Sequence, residues 1–429
     1  MRARTIVFAC LLTTTGVVAL AACATSDDAN DTKPPPSQVV PTDDAGEDAA
    51  AEAGDAASCD DCEYFTETCT DDAFCSNGPF DIPEGMDRRT RITVLRGRSE
   101  SDVWVVGALG DAAHFDGTGW KRRDLGFRES IRALWLRESG EIAGVSVDRL
   151  FSRGVDVEDG GTPSPGGWLP RAVQPIPINA EYWSWSRAIT SGWGNPSSDW
   201  LYVTTEHVCY LDLSNPTRPP PSCLFDTSPT SGLWRIRMSP SAPFEVSDAI
   251  GKTMCRAISC ASMTNMHGAS PDAFWAVGHA GAAMRVTEPD SDTPKLRSFN
   301  TLTTHALFAV WEATPPVPDG DGELEGGEAW AVGAHGTIRH YTGDRAVWEI
   351  VTDVPTTQDL RSVWGTSPSD VWAVGTRATV LHFDGTSWKR MKIAGLGAVR
   401  PDLTAVWSPS PGHVWIAGDG VVLSLGGKP

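Results

Sequence analysis

The chain has 429 residues and a formal net charge of −20, with 42 Gly, 31 Pro and 18 Trp. Gly and Pro punctuate it too often for a helical protein, and no long stretch carries apolar residues at i, i+3, i+4 and i+7. The charge is uneven: residues 24–87 hold 18 Asp and Glu against the single Lys33, or −17, which leaves −5 for residues 88–429. An acidic stretch joined to a near-neutral body argues against nucleic-acid binding, which needs a basic patch.

Residues 1–22 carry Arg2 and Arg4 and then an apolar run from Thr5 to Ala22, the pattern of a secretory signal peptide. The run ends in Leu20-Ala21-Ala22-Cys23, which resembles a bacterial lipobox. The resemblance implies cleavage before Cys23, acylation of that thiol and a lipid-anchored protein of the cell envelope. Ala24 in place of Asp points to the outer membrane, on its periplasmic or its surface side. The alternative is an uncleaved anchor, for which about 18 apolar residues are short. Residues 23–58 are Ala, Asp, Glu, Ser, Thr and Pro with almost no large apolar side chain. They cannot bury a core, and the expectation is an acidic disordered tether spanning about 30–35 Å as a flexible coil.

Residues 59–79 form a small Cys-rich segment containing Cys59, Cys62, Cys69 and Cys75. An even number of cysteines in an exported chain favours disulfides, here in any of three connectivities, with a four-thiolate zinc site as the alternative. Cys209 and Cys223 flank a Pro-rich loop, and Cys255 and Cys260 are close enough to bridge a turn, so each pair is a further disulfide candidate.

From residue 80 onward a phrase recurs. It reads Ser101-Asp-Val-Trp-Val-Val-Gly107, Asp272-Ala-Phe-Trp-Ala-Val-Gly278, Glu328-Ala-Trp-Ala-Val-Gly333, Ser369-Asp-Val-Trp-Ala-Val-Gly375 and Gly412-His-Val-Trp-Ile-Ala-Gly418. The fullest copy, Leu360 to Lys392, contains four short runs of β-branched and aromatic residues separated by Ser-Pro-Ser-Asp, Gly-Thr and Asp384-Gly385. Asp-Gly between such runs signals a hairpin with a type I′ turn. Trp330 to Trp372 is 42 residues and Trp372 to Trp415 is 43. A four-stranded unit at that period is the length of a propeller blade. The fold expected is therefore all-β, a β-propeller over residues 80–429 after the tether. Trp104, Ile142, Trp200, Trp275, Trp330, Trp372 and Trp415 mark seven blades, with six and eight as alternatives; Phe244 to Gly251 is the candidate for an eighth. The interval of 55 from Trp275 to Trp330 reflects a loop insertion at Pro315 to Gly327. The last copy ends without a fourth strand, and Phe80-Asp-Ile-Pro-Glu-Gly-Met86 is the expected donor that closes the ring.

The combination Leu-x-x-Val-Trp-Gly, Asp-Val-Trp-Ala-Val-Gly and His-Phe-Asp-Gly-Thr-Ser-Trp resembles secreted bacterial propellers of the sialidase-like Asp-box and photosystem II assembly-factor types. The resemblance spans roughly Arg89 to Gly427. It departs from a true Asp-box in that Asp116-Gly117 and Asp384-Gly385 are adjacent, and the arginine triad, tyrosine and acid of a sialidase are missing from recognisable positions.

His114, His340 and His382 recur at one blade position, which marks them as structural strand residues. The repeated Trp residues read as packing between blades, and Asp370 and its copies as caps on backbone N–H groups of the preceding turn. No catalytic, cofactor-binding or metal-ligating motif stands out. The reading is a monomeric, membrane-tethered binding or assembly protein that offers its ring to a protein or glycan partner. Variable loops near residues 155–180, 213–232 and 314–327 are the expected contacts. The alternative is a glycan-active hydrolase or lyase with two carboxylates at the channel.

Overall fold

Each short run of β-branched and aromatic residues pairs with the next through the intervening turn, and among the described residues the products are six four-stranded antiparallel meanders and a three-stranded one. The computed structural model describes residues 61–428, apart from 81, 139, 156–161, 176–184, 197, 208–231, 240–242, 251–261, 319–323 and 344–345. Cys23, Cys59, Cys209, Cys223, Cys255 and Cys260 lie outside the described residues, as do the signal peptide, the tether and almost all of the 213–232 loop.

Blades 1 to 6 cover residues 92–124, 133–171, 185–248, 263–299, 307–350 and 360–390, each with four strands in meander order. In blade 6 these are Leu360–Ser367, Asp370–Gly375, Thr379–Phe383 and Trp388–Arg390. The repeated phrase is the second strand each time. The stretch from Phe244 is no extra blade, because Glu245–Asp248 is the outermost strand of blade 3. Likewise the 155–180 region is not wholly loop: Leu169–Arg171 is the fourth strand of blade 2. The 314–327 insertion joins the first two strands of blade 5 and carries a short hairpin, Val317–Pro318 with Leu324–Glu325.

Blade 7 consists of Leu403–Ser410, His413–Gly418 and Val421–Leu425, and its fourth strand comes from the other end of the chain. That donor is Ala73–Ser76, with Phe74 opposite Leu425 and Ser76 opposite Leu423, and not the Phe80–Met86 segment. Phe80, Ile82 and Met86 instead pack beneath blades 7 and 1. The Cys-rich segment is thus continuous with the propeller sheet. Cys69 and Cys75 are joined in a disulfide that staples the donor strand, and Cys62 is also disulfide-bonded. Lys392–Ala394, running on from blade 6, covers the donor strand's outer edge in parallel pairing and is covered in turn by Phe65–Thr66. An edge that would otherwise be open to another chain is sealed.

Among the described residues an apolar core fills each of the seven interfaces between blades. Trp104 packs with Leu134, Ala143, Phe151 and Trp168 of blade 2. Trp135 and Ile142 meet Leu201 and Val203 of blade 3, and Tyr202 and Leu233 meet Met266 and Phe274 of blade 4. Trp275 meets Val310, Tyr341 and Trp348 of blade 5, and Trp330 meets Val363, Val371 and Trp388 of blade 6. Trp372 meets Val406, Val414 and Ile416 of blade 7, and Trp415 closes the circle against Ile92, Leu95 and Val103 of blade 1. The register corrects one marker. Trp364 faces Trp372 in blade 6, and the equivalent pair in blade 3 is Trp193 with Tyr202, so Tyr202 and not Trp200 holds the repeat's Trp position.

Candidate functional site: the central channel

The innermost strands carry their own repeat. Three residues after the Leu of Leu-x-x-Val-Trp-Gly, the equivalent inner-strand positions run Leu95, Leu134, Gly192, Met266, Val310, Val363 and Val406. Next comes a tryptophan in five blades (Trp135, Trp193, Trp311, Trp364 and Trp407), but Arg96 in blade 1 and His267 in blade 4. The position after that is small where the preceding blade supplies Trp. A Cβ added at Gly365 would come within 2.7 Å of Trp311, and one at Gly268 within 2.9 Å of Trp193. Trp135, Trp193, Trp311 and Trp407 each lie on the next blade's glycine, and Trp364 reaches Ser408, which accounts physically for a small residue after the Trp. Where Trp is replaced, the constraint lifts. Leu136 follows across from Arg96, and Glu312 across from His267.

Glu312 donates its backbone N–H to His267 Nδ1 at 3.1 Å and accepts the Ala269 N–H on Oε2 at 2.7 Å. Since Nδ1 accepts, the His267 proton resides on Nε2. Burial, with the nearby Arg96 charge, pushes the His267 pKa down to about 3, so the ring is neutral. Burial raises the Glu312 carboxyl to about 7. Arg96 reaches across to Trp364, its guanidinium 4.9 Å from that ring, and the His267 ring meets Trp364 edge-on at 4.9 Å. Burial lowers the Arg96 pKa to about 10, although part of the residue's surface stays open to the channel interior.

Above Arg96 and Trp364 lies a cavity of about 140 Å³ lined by residues from the innermost strand of every blade. Its rim is formed, one residue after the repeat's Leu position, by Thr93, Arg132, Thr190, Thr264, Phe308, Arg361 and Thr404. The threonines are stitches. Thr264 Oγ1 donates to Val277 O of its own blade (3.1 Å) or Leu307 O of the next (2.6 Å), and Thr404 Oγ1 likewise to Ala417 O (3.2 Å) or Ile92 O (2.6 Å). Thr93 repeats the arrangement with Val106 and Ile131. Replacing Thr264 with Val keeps the shape and removes the stitch, and should lower stability by about 1 kcal/mol in chemical denaturation. One ring inward, Asn265 ties three blades, donating to Ser191 Oγ (2.9 Å) and accepting the Val310 N–H (3.1 Å). Of the lining residues none is Asp or Glu, while three are Arg. Arg361 is paired with Asp359 (2.9 Å) and lies over Phe308 (4.4 Å); Arg132 is exposed at the rim.

The histidines of the third strands are remote from this cavity. His382 Nε2 bonds Asp370 Oδ1 (2.7 Å) and its ring stacks on Trp372 (3.9 Å), whose Nε1 donates to the same oxygen (3.0 Å). His340 repeats the carboxylate bond and the stacking with Glu328 and Trp330, and His114 with Asp102 and Trp104, but without the indole bond. Burial acts to raise the Asp370 pKa, but the bonds from His382 and Thr366 outweigh it and the net shift is downward. Asp370 therefore anchors side chains and does not cap the turn behind it. Nor is the Asp-Gly turn type I′. Only Gly117 (φ 84) and Gly385 (φ 87) are left-handed, in four-residue loops where Asp384 Oδ1 accepts the N–H groups of Thr386 and Ser387, both at 3.0 Å. Lysine hydrogen bonds, first among the causes, hold Asp116 and Asp384 well below the usual carboxylate range.

No protein-family model matches the chain, and no curated protein matches it either. Solved structures do. The fold is that of a β-propeller. A structure described as YCF48 bound to D1 peptide superimposes with a TM-score of 0.51 at 13% identity, covering 81% of this chain and 97% of that one. YCF48 from Cyanidioschyzon merolae gives 0.52 at 13% identity, covering 79% and 96%. At that identity the likeness establishes the propeller architecture, in keeping with the repeats read from the sequence.

Proposed function

We propose that the chain is a cell-envelope protein that captures a protein partner on the entry face of its propeller. The carrying observation is the make-up of that face. The cavity opens among arginines and an aromatic ring, Arg132, Arg361 and Phe308, with no carboxylate in its lining. In an antiparallel meander the connections between second and third strands, and those leading to the next blade, lie on one side. That side presents Leu109 (65% exposed), Leu302 (48%) and Val399 (64%). Basic and apolar side chains around a rigid concavity suit an acidic, partly apolar segment of another protein. The YCF48 structure with D1 peptide is an instance of such a ring holding a peptide. The glycan-hydrolysing alternative needs two carboxylates at a set separation, and the lining offers none.

In this reading Cys23 carries the lipid, residues 23–58 are the spacer, and the ring works as a monomer at the outer membrane in the periplasm or at the surface. The first described strand, Phe65–Thr66, lies on the outer rim of blade 7. Capture from an envelope extract by the full chain should fall at least tenfold for Arg132→Glu combined with Arg361→Glu. Equal capture by both proteins would remove the entry face as the site. Globomycin, which blocks lipoprotein signal processing, should leave an unprocessed precursor if Cys23 is acylated.

A further inference from the structure

The two departures from the inner-strand tryptophan, Arg96 in blade 1 and His267 in blade 4, converge on a single ring, that of Trp364 in blade 6. Among the described residues the Arg96 guanidinium makes one hydrogen bond, to its own chain at Leu95 O (2.9 Å), and no ion pair. Its neighbours do not compensate its charge, since His267 is a neutral donor and Trp364 offers only a ring face. A cation sequestered from bulk water without a carboxylate is costly unless something anionic joins it. The space to receive that anion is present, because Arg96 and Trp364 stand at the inner end of the 140 Å³ cavity. Ser362 Oγ, in the same lining, accepts the Val406 N–H at 3.2 Å and keeps its own O–H to donate. The cavity holds several waters but is well below the 300–1,000 Å³ of sites for drug-sized ligands.

We propose that this cavity is a binding site for a small oxyanion, a carboxylate or a phosphate, seated on the guanidinium fork of Arg96 against Trp364. Planar guanidinium groups bind both anions through paired N–H donors, and the positive field of Arg132 at the mouth favours entry. The site goes beyond partner capture and is independent of it, because a partner rests on the rim and the oxyanion lies beneath.

Calorimetric titration of the full chain with sodium succinate and with inorganic phosphate, at ionic strength fixed with NaCl, tests the inference. Saturable binding of succinate alone, of phosphate alone or of both identifies which oxyanion the cavity takes. Arg96→Met should abolish it, and Arg96→Lys, which keeps the charge and loses the fork, should weaken it at least tenfold. A thermal melt of each variant checks folding. No saturable binding of either anion to the unaltered chain, or equal affinity in a folded Arg96→Met or Arg96→Lys protein, overturns the proposal. Arg132→Glu with Arg361→Glu should remove partner capture, whereas Arg96→Met should not, so the two readings fail separately.

Discussion

Replacing Phe74 with alanine should destabilise the propeller by about 3–5 kcal/mol, the cost of deleting a large ring from a core that cannot collapse around the gap. Phe74 is fully buried and meets the edge of Trp372 at 5.5 Å, so it belongs to the core between blades 6 and 7. It also lies on the strand that supplies the fourth position of blade 7. The loss is a third or more of the whole stability of many domains. It should appear in denaturant melts as a lower midpoint with an unchanged slope. Truncation is the stronger form of the test. A fragment beginning at residue 78 keeps Phe80, Ile82 and Met86 but lacks Ala73–Ser76, and it should melt well below one beginning at residue 59 and associate through its open edge. Equal melting of the two would show that the N-terminal strand does not close the ring. Reduction should have a smaller effect. The Cys69–Cys75 bridge spans a sequence separation of 6, and a loop so short contributes about 2 kcal/mol through the unfolded state.

The architecture was legible because the second strand of most blades repeats one apolar phrase with an indole in it. An interface between blades needs a large buried ring, and five of seven second strands supply it as Trp. Register was misread only in blade 3, where Trp200 precedes Tyr202 by two positions and offers the eye the wrong aromatic. The closing strand escaped notice for another reason. Ala73-Phe74-Cys75-Ser76 is four residues among acids and cysteines, without the length or alternation of a strand, and it is a strand only because blade 7 presents a free edge. The channel site has a trace in the sequence that becomes readable once the inner strands are aligned. Leu95-Arg96-Gly97 and Met266-His267-Gly268 stand where other blades have an apolar residue, Trp and a small residue, and Trp311-Glu312 stands where Trp364-Gly365 does. What could not be read is that these odd positions, 171 residues apart for Arg96 and His267, meet at one tryptophan. That depends on ring closure. The Asp-Val-Trp and His repeats were visible, but a carboxylate followed by Val and Trp suits a turn cap as well as a side-chain anchor, and only the third strand's position decides between them.

Replacing Glu312 with glutamine should stabilise the protein at pH 8 by roughly 3 kcal/mol and flatten the dependence of its stability on pH. Glu312 is 1% exposed; its Oε1 has no hydrogen-bond partner among the described residues, while Oε2 is satisfied by the Ala269 N–H. Desolvation is the dominant influence and raises its pKa from 4.5 to about 7, against the lowering effects of the Ala269 N–H and the Arg285 charge. A carboxyl whose pKa is higher in the folded chain than in the unfolded one binds its proton more tightly when folded. Its favourable contribution is therefore complete below pH 4.5 and is lost as the pH rises through about 7. At 1.36 kcal/mol per pKa unit the full difference is roughly 3 kcal/mol. Glutamine has the same shape, still accepts the Ala269 N–H through its carbonyl, and cannot ionise. The variant and the parent should therefore be similar in stability near pH 4.5 and diverge steadily toward pH 8, with the variant the more stable. The acidic side carries the opposite slope in both proteins, because Asp370 and Asp102 are held below their ordinary values and their contribution is lost as the pH falls through those lowered pKa values. Parallel pH profiles for parent and Glu312→Gln would show that the buried carboxyl does not titrate where its surroundings place it. Divergence in the predicted direction would locate near neutral pH a proton on Glu312, whose backbone N–H bonds the His267 ring.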